Sequence, residues 1–148
     1  MSAASDSLAT FISVAARTQG ALVTAGDDLV ADLRLSSARE QLLAALLAAG
    51  VPRTVSQVAR DLGLSRQAVQ RVADDLAEAG LAAYSANPDH ARAKLLGPTA
   101  EGEAAYGEAL RRKGLWLEEL AVGLPPAGLE IATELLRLLG RRATRRAG

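Results

Sequence analysis

The sequence predicts a mainly α-helical fold with a minor β component. Of its 148 residues, 32 are alanine and 25 are leucine, and both residue types are strong helix formers. Only four residues are aromatic, and strand-forming residues are sparse, which argues against an all-β fold. A chain of this length is expected to form one domain, or one domain with additional helices for dimerisation.

The composition also limits the kinds of site and the cellular location. The chain has no cysteine, which excludes disulfides, zinc–thiolate sites and thiol redox sensing, and its single histidine, His90, excludes a multi-histidine metal site. We therefore expect no metal and no cofactor. Neither a phosphate loop nor a nucleophile elbow is present, so we do not expect an enzyme. The longest apolar run, residues 42–51, is too short to cross a bilayer, and no basic signal region precedes it, so a cytoplasmic location is expected.

The formal net charge is zero, which by itself argues against a nucleic-acid partner. The charges are nevertheless unevenly distributed. Residues 1–50 carry 3 basic and 5 acidic side chains, residues 51–100 carry 6 and 5, residues 101–136 carry 3 and 7, and residues 137–148 carry 5 and none. The acidic excess thus lies outside the middle segment, which contains the motifs described below.

Two helices are predicted before those motifs. Apolar residues recur every seven positions over residues 5–33, and two glycines in this stretch would allow a kink. The recurring residues are Leu8, Ala15, Leu22 and Leu29. Ser37 and Glu40 have the spacing of a capping box, which predicts a second helix over residues 37–49 that ends at Gly50.

The middle of the chain has the pattern of a helix-turn-helix. Thr54 and Gln57 form a second capping-box signature before a short helix that Gly63 ends. Ser65 is the expected N-cap of the next helix, which Gly80 ends. Apolar residues at i, i+3, i+4 and i+7 on this second helix leave a polar face opposite them.

The remainder predicts a hairpin and two further helices. Residues 81–85 and 93–96 are expected to be strands around a polar loop. Thr99 is the expected cap of a helix from Ala100 to about Val122, and two prolines separate it from a last helix over about residues 127–142.

A helix-turn-helix followed directly by a hairpin with basic residues is a winged helix, and the expected ligand is double-stranded DNA. The second helix would enter the major groove, where glutamine pairs with adenine and arginine with guanine, and the hairpin would approach phosphates or the minor groove. The candidate DNA-binding residues are Thr54, Ser65, Arg66, Gln67, Gln70, Arg71, Asn87, His90, Arg92 and Lys94.

This pattern resembles the MarR family of winged-helix transcriptional regulators. The resemblance is carried by TVSQVARDLGLSRQAVQRVADDLAEAGL and NPDHARAKLLGPTAEG and is strongest over residues 53–102. The family's Leu-Thr-x-x-Gly step has Pro98 in place of leucine here. In the family's Asp-x-Arg wing step, Arg92 fills the arginine position. Either His90 occupies the aspartate position, or Asp89, one residue earlier, fills it through a shift in register.

The resemblance implies a homodimeric regulator that binds a pseudo-palindromic operator, and we expect it to be a repressor. It divides the chain into an N-terminal dimerisation helix (residues 1–36), a winged helix-turn-helix domain (37–102) and C-terminal dimerisation helices (103–148). It also implies a small aromatic effector, for which the candidate contacts are Phe11, Arg17, Arg39 and Trp116. A tryptophan on an apolar face is more often a core residue than a ligand contact.

Two alternatives stay open from the residues alone. The chain could be a winged-helix protein–protein module without DNA binding, as its zero net charge and Asp61, Asp74, Asp75 and Asp89 would allow. His90 in the wing is either an ordinary exposed loop residue or a group whose protonation raises DNA affinity as the pH falls.

Overall fold

A computed structural model describes residues 2–146, without the side chain of Arg146, and the mainly α-helical fold is confirmed. A single 3₁₀ turn, Ala31–Leu33, follows the first helix. The elements in chain order are α1 (Ala3–Asp28), α2 (Ser37–Ala49), β1 (Arg53–Thr54), α3 (Val55–Leu62), α4 (Arg66–Glu78), β2 (Ala82–Ser85), β3 (Leu95–Pro98), α5 (Ala100–Ala121) and α6 (Pro126–Arg146).

The junction between the first two helices differs from its prediction. Helix α1 is unbroken through both of its internal glycines and ends five residues early, at Asp28. The Asp27 carboxylate accepts hydrogen bonds from the backbone N–H of Ser37 at 2.7 Å and from its hydroxyl at 2.6 Å. Because the Ser37 side chain is occupied in this way, Ser36 is the N-cap of α2 instead, and the predicted capping box is wrong.

The helix-turn-helix has the predicted local interactions. The Thr54 hydroxyl accepts from the backbone N–H of Gln57 at 3.2 Å, and the Gln57 amide oxygen accepts from the backbone N–H of Thr54 at 2.9 Å. Gly63 adopts φ 65°, the left-handed conformation that a turn between two helices requires. The Ser65 hydroxyl accepts from the backbone N–H of Ala68 at 3.1 Å and caps α4, as predicted.

A three-stranded antiparallel sheet in the order β1-β3-β2 follows the helix-turn-helix. Strand β1 was not predicted, because its two residues are too few to show an alternating pattern. Its Arg53 pairs with Leu96, which also pairs with Tyr84 on β2. Strand β3 begins two residues later than predicted. The Asn87 side chain donates to the carbonyl oxygen of Ala93 at 2.9 Å and so retains Ala93 in the loop.

The core lies between α2, α3, α4 and the sheet. Its largest fully buried side chains are Leu42, Leu43, Leu46, Leu76, Leu81, Leu96, Val30 and Val58. Thr99 closes the end of the sheet, because its hydroxyl donates to the carbonyl oxygen of Gly80 at 2.7 Å and accepts from the backbone N–H of Gly102 at 3.0 Å. These contacts hold α4 and the hairpin in one packed body.

The contacts divide the chain into two compact units, one ending at Lys113 and one beginning at Gly114. The second unit contains α6, whose apolar side chains include the exposed Leu129, Ile131, Leu135 and Leu136. Among residues 2–146, no helix is long and apolar enough to cross a membrane, and no three histidine or acidic side chains are grouped so as to hold a metal ion.

Candidate nucleic-acid interface

The outer face of α4 presents three long polar side chains to solvent. Arg66, Gln67 and Arg71 are exposed, while Val69 and Ala73 on the opposite side are buried in the core. Within residues 2–146, none of these three side chains forms a hydrogen bond or an ion pair with the rest of the protein. They are therefore free to contact a ligand without first breaking an internal contact.

A groove of about 260 Å³ lies between α4, the start of α3 and the hairpin, and we call it the wing groove. It brings together residues that are up to forty positions apart in the sequence. Its lining includes five of the predicted DNA-binding residues, namely Thr54, Arg66, Gln70, Arg92 and Lys94. Asp74 and Tyr84, which sequence reasoning did not select as site residues, also line it.

Gln70 is not free, because it belongs to a hydrogen-bonded cluster in the wing groove. Its amide nitrogen lies 2.9 Å from Asp74 Oδ1 and 2.8 Å from the Tyr84 hydroxyl oxygen, and the Tyr84 hydroxyl donates to Asp74 Oδ1 at 2.7 Å. Burial and the hydrogen bond to Asp74 raise the pKa of Tyr84 to about 12, so its hydroxyl is protonated at neutral pH. Tyr84 is fourteen residues from Gln70, and only its position on a predicted strand gave any sequence signal.

The hairpin loop is held by Asn87. Its side chain donates to the carbonyl oxygen of Ala93, as noted above, and accepts from the backbone N–H of Asp89 at 3.0 Å. The predicted contact residue Asn87 therefore has a structural role in this loop. His90, Arg92 and Lys94 are exposed, and in the part of the chain that the structure describes, Arg92 forms no ion pair with Asp89.

Three acidic residues near this surface have a hydrogen-bond or ion-pair partner within the protein. Asp61 pairs with Arg53 at 2.9 Å, Asp75 lies 3.8 Å from Arg39, and Asp74 belongs to the cluster with Gln70. By contrast, the cations of α4 and the hairpin form no ion pair among the described residues. The exposed surface around the wing groove is thus more basic than the net charge of the chain indicates.

The four candidate effector contacts differ in burial and in their hydrogen-bond partners. Phe11 is half-buried and Arg17 is exposed on α1, while Trp116 is half-buried in the second unit. The Arg39 guanidinium donates to the carbonyl oxygen of Arg34 at 2.7 Å, in addition to its contact with Asp75. Arg39 therefore links the start of α2 to the preceding turn and to α4.

Comparison with known proteins gives the family. A MarR family profile matches residues 37–93. The chain is 35% identical over 133 residues to an uncharacterised protein of Mycobacterium tuberculosis, and the alignment covers 90% of this chain and 92% of that protein.

Solved structures are similar over most of the chain. A MarR family transcription regulator has a TM-score of 0.83 at 20% identity, covering 97% of this chain and 94% of that one. The transcriptional repressor CouR bound to a 23-mer DNA duplex has a TM-score of 0.70 at 25% identity, covering 88% and 89% of the two chains. CouR from Rhodococcus jostii RHA1 bound to p-coumaroyl-CoA has a TM-score of 0.66 at 21% identity, covering 85% and 88%. From the profile match, the relative and the winged-helix fold, this chain belongs to the MarR family of transcriptional regulators.

Proposed function

We propose that this protein is a sequence-specific double-stranded DNA-binding repressor that acts as a homodimer. One observation carries the proposal. Arg66, Arg92 and Lys94 line the wing groove, and Arg71 lies on the adjoining surface of α4. All four are exposed without ion-pair partners among the described residues, while three nearby aspartates have partners within the protein. This arrangement favours DNA over the alternative of a protein–protein module, since three of the four aspartates that supported that alternative already have a hydrogen-bond or ion-pair partner within the protein.

The proposed mode of binding places α4 in the major groove. Gln67 and Arg71 on its exposed face would contact base edges, and Ser65 at its N-terminus would lie near a phosphate. Arg92 and Lys94 on the hairpin would contact phosphates or the minor groove of the adjacent turn, together with His90. The CouR complex with a DNA duplex supports this mode by similarity of fold.

Dimerisation is proposed from the unburied apolar side chains of the outer helices. Among the described residues, large apolar side chains on α1, α5 and α6 are exposed. They include Leu8, Ile12, Leu22, Leu110, Leu117, Leu129, Ile131 and Leu135. Apolar surface on this scale is typical of a protein interface. Two recognition helices in successive major grooves would then require half-sites about ten base pairs apart in a pseudo-palindromic operator.

Binding to DNA can be tested with the full chain and a random duplex library, followed by titration of the enriched sequence. Gln67→Ala should weaken binding to that sequence by about 1–3 kcal/mol and leave binding to unrelated duplex unchanged. Gln41→Ala is the matched control, because Gln41 is an exposed glutamine on α2. Failure to enrich any sequence, or equal affinities for wild type and Gln67→Ala, would contradict the proposal.

A small aromatic effector is proposed as the signal that releases DNA, with Phe11, Arg17, Arg39 and Trp116 as the candidate contacts. The structure of CouR with p-coumaroyl-CoA supports an aromatic ligand by similarity of fold. Because Trp116 is the only tryptophan, its fluorescence reports on any ligand that binds close to it. Titration of a panel of aromatic acids should quench this fluorescence and release the enriched duplex at the same concentration. Quenching of Trp116 fluorescence without release of the duplex would show that the ligand binds but does not release DNA, and would contradict the proposed signal.

A further inference from the structure

We propose that Gln70 acts on DNA as a hydrogen-bond acceptor only, because Asp74 and Tyr84 hold its amide nitrogen. Each half-site would then carry adenine or cytosine at the position that Gln70 faces. This inference rests on the proposed DNA-binding function. It assigns Asp74 and Tyr84 as positioning residues that set base specificity without touching a base.

The count of hydrogens in the cluster leads to this assignment. A glutamine amide nitrogen has two hydrogens, and its two acceptors, Asp74 Oδ1 and the Tyr84 hydroxyl oxygen, lie 2.7 Å from each other, so the two hydrogens reach them through bent hydrogen bonds. The hydroxyl hydrogen of Tyr84 is directed at Asp74. Turning the amide over would place the Gln70 carbonyl oxygen against the Asp74 carboxylate, where two acceptors would repel. The cluster therefore permits one orientation of the amide.

The carbonyl oxygen of Gln70 is the part of its amide that remains available for a hydrogen bond to DNA. No donor from the described residues reaches it, and Gln70 lines both the wing groove and the adjoining surface of α4 that includes Gln67 and Arg71. Tyr84 is itself held by β2, which pairs with β3 at the fully buried Leu96. The acceptor is thus oriented before DNA binds, and no further ordering of this side chain is required.

The chemistry of the base edges then determines the preference. A free glutamine pairs with adenine through two bonds, accepting from N6 and donating to N7. With its nitrogen occupied, Gln70 retains only the acceptor, which can pair with the N6 amino group of adenine or the N4 amino group of cytosine. Guanine and thymine present O6 and O4 at the corresponding place, and either would leave two acceptors facing each other without a donor.

The test is selection from a random duplex library with the full chain and four variants. Gln70→Ala should lose base preference at one position of each half-site, where the wild type selects adenine or cytosine. The double variant Asp74→Ala, Tyr84→Phe frees both amide hydrogens and should favour adenine over cytosine there by at least about fivefold relative to wild type. Tyr84→Phe alone frees one hydrogen, keeps the Asp74 bond, and should shift the preference in the same direction. Tyr106→Phe is the control and should leave the preference unchanged.

The outcomes separate this inference from the function on which it rests. Enrichment of a sequence in which the Gln70-dependent position selects guanine or thymine overturns the inference and leaves the DNA-binding proposal intact. The same holds if both Tyr84 variants, folded by circular dichroism, select the same bases as wild type. Enrichment of no sequence by the wild type overturns the DNA-binding proposal itself.

Discussion

Gly102 at the start of α5 lies directly against the carbonyl group of Leu81. A Cβ atom at position 102 would lie 1.9 Å from the Leu81 carbonyl oxygen, a distance that only backbone movement could relieve. Leu81 is fully buried and immediately precedes β2. The absence of a side chain at Gly102 therefore allows α5 to pack against the base of the hairpin.

Gly102→Ala should consequently destabilise the protein by about 1–3 kcal/mol, because the added methyl group overpacks a rigid site. Chemical denaturation followed by circular dichroism measures this change. The matched control is Gly107→Ala on the same helix, where a Cβ would meet nothing within 4 Å. This control should be neutral or more stable by about 0.5–1 kcal/mol, because alanine is the better helix former. Equal free energies of unfolding for the two variants would contradict the close approach of Gly102 to the Leu81 carbonyl group.

A second prediction concerns the ion pair between Glu40 on α2 and Lys113 on α5, at 2.7 Å. Glu40 is only 9% exposed, so Lys113→Met would leave its carboxylate buried without a cation and cost about 1–3 kcal/mol. Adding Glu40→Gln to that variant should recover part of the loss. Arg137→Met removes an exposed pair with Glu134 and should leave the free energy of unfolding unchanged. If a double-mutant cycle gives no coupling between Glu40 and Lys113, the ion pair does not contribute to the free energy of unfolding.

The pH dependence of stability gives a third prediction. Hydrogen bonds from Arg111 and Arg112 lower the pKa of Glu108 from its ordinary 4.5 to about 2. Because the pKa is depressed in the folded state, this group stabilises the protein above pH 4.5, and its contribution is lost as the pH falls towards 2. The unfolding midpoints of wild type and Glu108→Gln should differ most near pH 6 and converge near pH 2. Glu103→Gln on the same helix serves as the control and should leave the unfolding midpoint near that of wild type, because Glu103 is exposed and forms no ion pair among the described residues.

A fourth prediction tests the hairpin as a DNA contact. Arg92→Ala should weaken binding to specific and unrelated duplexes alike and reduce the salt dependence of binding by about one counterion per protomer. Affinity measured by fluorescence anisotropy at several salt concentrations gives both quantities. Arg111→Ala removes a cation that is already paired with Glu108 and should leave the salt dependence unchanged. Identical salt dependence for wild type and Arg92→Ala would mean that the hairpin does not contact phosphate.

Local interactions allowed the helix-turn-helix to be predicted in detail. The capping box of Thr54 and Gln57, the turn at Gly63 and the cap at Ser65 all join residues within a few positions of each other. Such interactions depend on residue type and spacing, which the sequence displays directly. The same reasoning failed at Ser37, because the side chain that competed for it, Asp27, belongs to the preceding helix.

The order of the elements and the winged-helix pattern that carries the family resemblance could therefore be predicted from residue types and their spacing. Which polar side chains have partners could be known only from the packed fold. It joined Tyr84 to Gln70, Arg39 to Asp75 and Lys113 to Glu40. The physical reason is that hydrogen bonds and ion pairs between distant residues form only where packing brings them within about 3–4 Å, and no short-range pattern specifies that distance. The neutral net charge therefore does not describe the surface around the wing groove, because the partners of the individual charged residues decide which cations are available to a ligand.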